Sequence, residues 1–210
     1  MIRASAIGTS LLAALVVSAG PLRAQGEFGL FGGVLVPTSN VTLPASSSPP
    51  VFANQPAKTS TAFTYGALGR WWFGERVGVQ ATVGHSDGSL VLYSTGSGLD
   101  STVDASSTVV TATLTYRLSE PYLSNAVWLN AGVVWVSEGG PFYDQFDGTS
   151  STGVTFGAGS TLPLGERFRV NLALDAFLYS LNLTGPGLDP GSSNQFDLRA
   201  TAGMVIAVGH

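Results

Sequence analysis

Residues 61–86 read TAFTYGALGRWWFGERVGVQATVGHS. In the first half, Phe63, Tyr65, Ala67, Trp71 and Phe73 share one parity, while Thr64, Gly66, Leu68, Arg70 and Trp72 share the other. After Gly74-Glu75-Arg76 the alternation resumes. Val77, Val79, Ala81, Val83 and His85 now oppose Gly78, Gln80, Thr82, Gly84 and Ser86. Successive side chains of a strand point to opposite faces, so this period of two predicts two strands joined by a tight turn.

The same pattern fills the rest of the chain. It predicts strands over about 27–36, 108–118, 126–136, 152–162, 168–179 and 195–209, which with the hairpin makes eight. The short stretches FGERVGV (73–79) and LGERFRV (164–170) are two copies of one turn leading into a strand. Connections alternate in length. Long, polar, turn-rich segments cover 37–60, 87–107, 138–150 and 184–194; short ones cover 74–76, 119–125 and 163–167. In an up-and-down array all four long segments emerge at one end.

Eight alternating strands fit a soluble barrel with its apolar face inward, or a membrane barrel with that face turned to lipid. Three features favour the second. The polar face holds Gly, Thr and Asn with almost no Lys, whereas a soluble surface carries roughly 25–35% charged residues. Its few charges, Glu27, Asp175 and Asp197 with Arg70, Arg117, Arg169 and Arg199, are of both signs and suit mutual pairing in a narrow interior. Aromatic residues sit towards strand ends: Trp71, Phe73, Tyr116 and Phe168 by the short turns, and Phe63, Tyr65, Trp135 and Phe156 towards the long segments. That is the layout of two interfacial girdles. The fold class predicted is all-β, an eight-stranded antiparallel up-and-down transmembrane β-barrel.

On this pattern, residues 25–210 resemble the small eight-stranded outer-membrane β-barrel proteins of Gram-negative bacteria, the OmpA/OmpX type. The resemblance implies termini on the periplasmic side, long loops outside and a location in the cell outer membrane. Members usually end in Phe or Trp; this chain ends AVGH, with His210 in register with the outward residues Met204, Ile206 and Val208.

The first residues, MIRASAIGTSLLAALVVSAGPLRAQG, have a basic Arg3, an apolar run from Leu11 to Val17, helix-breaking Gly20-Pro21 and a small Ala24. This is the layout of a secretory signal peptide, residues 1–24, followed by a barrel domain over 25–210. Removing the leader takes away Arg3 and Arg23, leaving seven basic against thirteen acidic residues. Nucleic acid is therefore not expected as a partner, since phosphate binding needs clustered Lys and Arg. Cysteine is absent, so disulfides do not hold the fold.

The chemistry-bearing motifs are few. GHSDG at 84–88 matches the G-x-S-x-G nucleophile elbow, and Ser86, an acid and His210 follow a hydrolase order. An elbow needs a helix after the turn, and none is predicted here; His210 would also lie at the opposite membrane face. A lipid-modifying site on the outer wall would use His85, Ser86 and Asp87, but neighbours in a strand diverge. Asp144 and Asp147 beside Gly148 lack the spacing of a calcium loop and read as a hydrated acidic loop. The outer segments as a whole are acidic: Asp87, Asp100, Asp104, Glu138, Asp144, Asp147 and Asp189 against Lys58. The interior charges read as a structural plug, because eight strands leave room only for side chains.

No catalytic, cofactor or metal site is expected. The function expected is that of a non-enzymatic outer-membrane barrel with a structural or surface-interaction role, a narrow plugged lumen and long extracellular loops. Expected partners are outer-membrane lipids and lipopolysaccharide, the assembly machinery, and an extracellular ligand of unknown kind held by the loops. The alternatives are a lipid A or phospholipid hydrolase of the outer membrane, and a soluble periplasmic ligand-binding barrel.

Overall fold

A computed structural model describes residues 25–42, 56–92, 101–119, 125–146, 149–185 and 188–208. The expected leader, residues 1–24, and His210 lie outside the described residues. Ten strands follow in order: β1 (Gln25–Pro37), β2 (Asn40–Thr42), β3 (Pro56–Thr59), β4 (Ala62–Trp72), β5 (Val77–Leu92), β6 (Ser101–Arg117), β7 (Ala126–Gly139), β8 (Ser150–Pro163), β9 (Phe168–Gly185) and β10 (Leu188–Val208). One 3₁₀ turn, Tyr143–Gln145, follows β7. No helix among the described residues is long and apolar enough to cross a membrane.

Eight strands close a ring in the order β1-β4-β5-β6-β7-β8-β9-β10, with β10 returning to β1, and every pairing is antiparallel. Closure leaves the ring without a free edge, as lipid requires. At one end the strands meet in tight turns. The two FGERVGV-like copies are closed alike, Phe73 N–H to Val77 O and Leu164 N–H to Phe168 O, both 2.8 Å. Gly74 takes φ 125° in the first, a left-handed conformation that favours glycine.

The wall is inverted relative to a soluble barrel. Leu30, Leu114, Val133, Leu174 and Met204 are more than half exposed, whereas Glu27, Arg70, Asp175 and Arg199 are at most 3% exposed. Phe28 meets Trp71 edge-to-face near the tight-turn end, and Phe63 stacks on Tyr65 in the opposite direction along β4. Only an apolar solvent makes such a surface favourable.

Two expectations need correction. The segments 87–107 and 184–194 are mostly strand, not loop: β5 runs to Leu92, β6 starts at Ser101, β9 reaches Gly185 and β10 starts at Leu188. Segment 37–60 contributes β2 and β3, which pair with each other and with the far end of β5. Ser193 and Gln195 of β10 donate to the Asn40 carbonyl, so β2 and β3 extend the wall where β1 and β4 stop. The physical reason is a reversal of polarity. Beyond the Phe63–Tyr65 level the outward positions become Asp87, Ser89, Asp104, Ser180 and Asn182, while Leu90, Leu92, Ala105, Leu181 and Leu183 turn inward and are buried. The alternation continues, but the face that is apolar has changed, because water has replaced lipid outside.

The interior accordingly has two halves. Towards the tight turns it is polar and charged. Towards the mouth it is an apolar core built from these leucines with Leu35, Val109, Val134, Phe177 and the loop residues Phe142, Tyr143 and Phe146.

Candidate functional site

The lower lumen is organised around Arg70. Glu27 lies directly across from it on β1, and Gln80 directly across on β5. Arg70 Nη1 donates to Glu27 Oε2 (2.9 Å), its Nε and Nη2 donate to Gln80 Oε1 (2.9 and 2.6 Å), and Nη2 also reaches Asn171 Oδ1 (3.1 Å). The guanidinium lies 4.2 Å from the Trp128 ring and 5.7 Å from the Trp72 ring. Arg169 donates to the other Glu27 oxygen at 2.7 Å. Pairing and stacking together offset the cost of burying the charge. Gly159 makes room for this layer, since a Cβ there would collide with the Trp128 ring.

A second layer sits above. Arg199 and Asp175 face each other across β10 and β9, with Nη2 donating to Oδ2 at 3.0 Å. Arg199 Nη2 also donates to Thr82, and Asn130 donates to Asp175 Oδ1 at 3.2 Å. The Arg199 guanidinium is held between the Phe31 and Phe177 rings at 5.2 and 5.0 Å. Gly84 keeps this space open, because a Cβ there would press on Arg199 and Phe31. Both layers place their side chains inside the eight-stranded ring.

The expected charge pairing holds for Glu27, Arg70, Arg169, Asp175 and Arg199 and fails for two residues. Arg117 makes no ion pair among the described residues; its guanidinium stacks on Trp72 at 4.3 Å. Asp197 also lacks an arginine and accepts instead from the Tyr179 hydroxyl at 2.7 Å. Glu138, expected on an acidic outer loop, is on the inward parity of β7 and accepts from Ser107 at 3.2 Å. Glu138 and Ser107 lay inside segments read as loops, so their inward parity was not flagged by the sequence, whereas Asp197 was read as inward but with an arginine as its partner.

GHSDG forms no elbow. All five residues lie within β5, which continues to Leu92. Ser86 points into the lumen and is 2% exposed, while His85 points outward. On the outer wall His85 Nδ1 is 3.0 Å from Thr108 Oγ1 and its Nε2 is 3.2 Å from Asp87 Oδ1, with Tyr65 edge-on to the imidazole. Asp144 is exposed on the 3₁₀ turn. Asp147 and Gly148, the rest of the acidic loop motif, lie outside the described residues, as does Asp100.

No protein-family model and no curated protein matches the sequence. The fold does match solved structures. The outer membrane protein OprG from Pseudomonas aeruginosa superposes with a TM-score of 0.63 at 15% identity, over 88% of this chain and 97% of that one. AlkL, determined by solid-state NMR in lipid bilayers, gives 0.54 at 14% identity over 89% and 90%. A major outer membrane protein from Thermus thermophilus gives 0.51 at 11% identity over 88% and 99%. The similarity runs the length of these chains, and the inverted wall supplies the physical reason for it: the chain has the fold of the small eight-stranded outer-membrane β-barrels, built to sit in a lipid bilayer.

Proposed function

We propose that the chain is a non-conducting, non-enzymatic outer-membrane barrel whose role is carried by its mouth, which faces the cell exterior and meets lipopolysaccharide headgroups or an extracellular ligand. The observation that supports this reading is the set of side chains buried inside the ring. Two arginine–carboxylate layers lie there, with an apolar core above them. Such a barrel is an anchor for its rim, with Asp87, Asp104 and Asp144 presented there. The experiment is single-channel recording of the folded chain in planar bilayers. No conductance steps are expected for the wild type; stable steps in the wild type would overturn the plug.

One observation favours a second reading, a lipid-modifying enzyme. Thr108, His85 and Asp87 form a hydroxyl–imidazole–carboxylate chain on the outer wall. What such chemistry needs besides is a pair of free amides for the oxyanion. Thr108 is paired on both sides, to His85 and to Ser137, so the amides around it are committed to the ladders. The binding reading is therefore preferred. Threonine-to-valine substitution at position 108, with lipid hydrolysis in vesicles as readout, separates the two; wild-type hydrolysis that vanishes in Thr108→Val would install the enzyme.

A further inference from the structure

At the mouth, two carboxylates face each other without an arginine. Asp197 is 5% exposed. Its Oδ2 accepts from Tyr179, and its Oδ1 has no hydrogen-bond partner among the described residues. The Thr38 amide donates to the Phe196 carbonyl at 3.0 Å and also lies against the Asp197 carboxylate. Glu138 Oε1 is 3.5 Å from the same Tyr179 hydroxyl, which has one proton and directs it to Asp197 at 2.7 Å. The arginine nearest along the chain, Arg199, is committed to Asp175. Among the described residues the other lumen carboxylates have arginine partners: Glu27 has two and Asp175 has one.

Both carboxylates line a cavity of about 20 Å³, together with Ser107, Thr59, Tyr143 and Gln195. That is room for one water-sized occupant. The polar lining is oxygen-rich and, with Tyr179, drawn from six separate elements: β3, β6, β7, β9, β10 and the 3₁₀ turn. Two carboxylates buried side by side need positive charge beside them. Hard oxygen donors select calcium or magnesium over softer metals. Magnesium demands octahedral geometry and retains several waters, for which the chamber has no room; calcium accepts irregular sets of protein oxygens.

We propose that this chamber binds one calcium ion, held by Glu138 and Asp197 with neutral oxygens of the lining, and that the ion ties the 140–146 turn to the barrel wall. This goes beyond the surface role argued above and departs from the sequence-based expectation of no metal site. Bound calcium rigidifies the mouth by linking elements distant in sequence.

The test uses the full barrel chain folded in lipid vesicles at pH 8 and constant ionic strength, with calcium chloride as the probe. Isothermal titration is expected to give one saturable site per barrel, and the urea midpoint is expected to rise with calcium and fall back with a chelator. Asp197→Asn and Glu138→Gln are each expected to weaken binding at least tenfold, whereas Glu75→Gln, exposed in the tight turn at the other end, leaves it unchanged. Magnesium is expected to bind at least tenfold more weakly. If Asp197→Asn does not fold, the wild-type stoichiometry and Glu138→Gln still decide. The proposal is overturned by absence of saturable binding, by binding that survives both lumen substitutions, or by binding lost in Glu75→Gln. It is equally overturned if the wild type ignores calcium while both lumen substitutions stabilise it, since the chamber then holds a proton.

Discussion

Replacing Glu27 by leucine isolates the lower charge layer. Glu27 is the acceptor for Arg70 at 2.9 Å and for Arg169 at 2.7 Å. Removing one partner of a buried pair leaves the other charge uncompensated, at a cost of about 3–5 kcal/mol. The Arg70 side chain is fully enclosed, so that cost falls on it, while Arg169 is 26% exposed and water offsets most of its loss. Gln80 and Asn171 keep three of the Arg70 hydrogen bonds, which places the expected loss near the lower bound, about 3 kcal/mol. Deleting both charges in Glu27→Leu/Arg70→Met should cost less than the sum of the single changes by at least about 1 kcal/mol, since the charges no longer strand one another. The assay is urea unfolding in lipid vesicles followed by tryptophan emission, to which Trp72 and Trp128 report directly because both rings contact this layer. A loss below about 1 kcal/mol in Glu27→Leu, or strict additivity in the double variant, refutes the reasoning.

The same wall yields a paired prediction: Leu178→Lys, within the lipid-facing band, should destabilise the folded barrel by up to about 2–4 kcal/mol, while Ser180→Lys, two residues along the same face, should cost about 0–1 kcal/mol by the same unfolding assay. Gly159→Phe should prevent the Trp128 ring from seating against Arg70, seen as failure to form the heat-modifiable barrel on a gel or as red-shifted emission. Tyr179→Phe removes the hydrogen bond to Asp197 and should cost about 1.5–3 kcal/mol in urea unfolding.

The barrel was legible in the sequence because lipid on one side and a packed lumen on the other impose a period of two on every strand. Phe63 to Trp72 and Val77 to Ser86 show it without interruption, and the pairing register agrees. The outer extensions were not legible. At Leu90, Ala105 and Leu181 the period persists, but the apolar parity reverses as the wall leaves the bilayer, and Gly and Ser at neighbouring positions resemble turn signals. The charged residues of the lumen could be named from their parity, but their partners could not. Arg70 finds Glu27 and Asn171 from strands 43 and 101 residues away. Arg117 and Asp197 show the limit: both carry the inward parity, yet one stacks on an indole and the other takes a phenol proton. The Glu138–Asp197 chamber needed the closed ring to bring β7 and β10 together. His85 was correctly separated from Ser86 by strand alternation alone; its contact with Thr108 depended on the β5–β6 register.

The absence of native cysteine allows a direct test of the inverted wall. Single cysteines placed along β9 can carry nitroxide labels in lipid vesicles, and collision with oxygen, which concentrates in lipid, is then compared with collision with a water-soluble nickel chelate. Labels at 172, 174 and 178 are expected to favour oxygen, those at 171, 175 and 177 to meet neither reagent, and those at 180 and 182 to favour nickel. Nickel contact at 172 and 174 with oxygen at 171 and 175 would contradict the account.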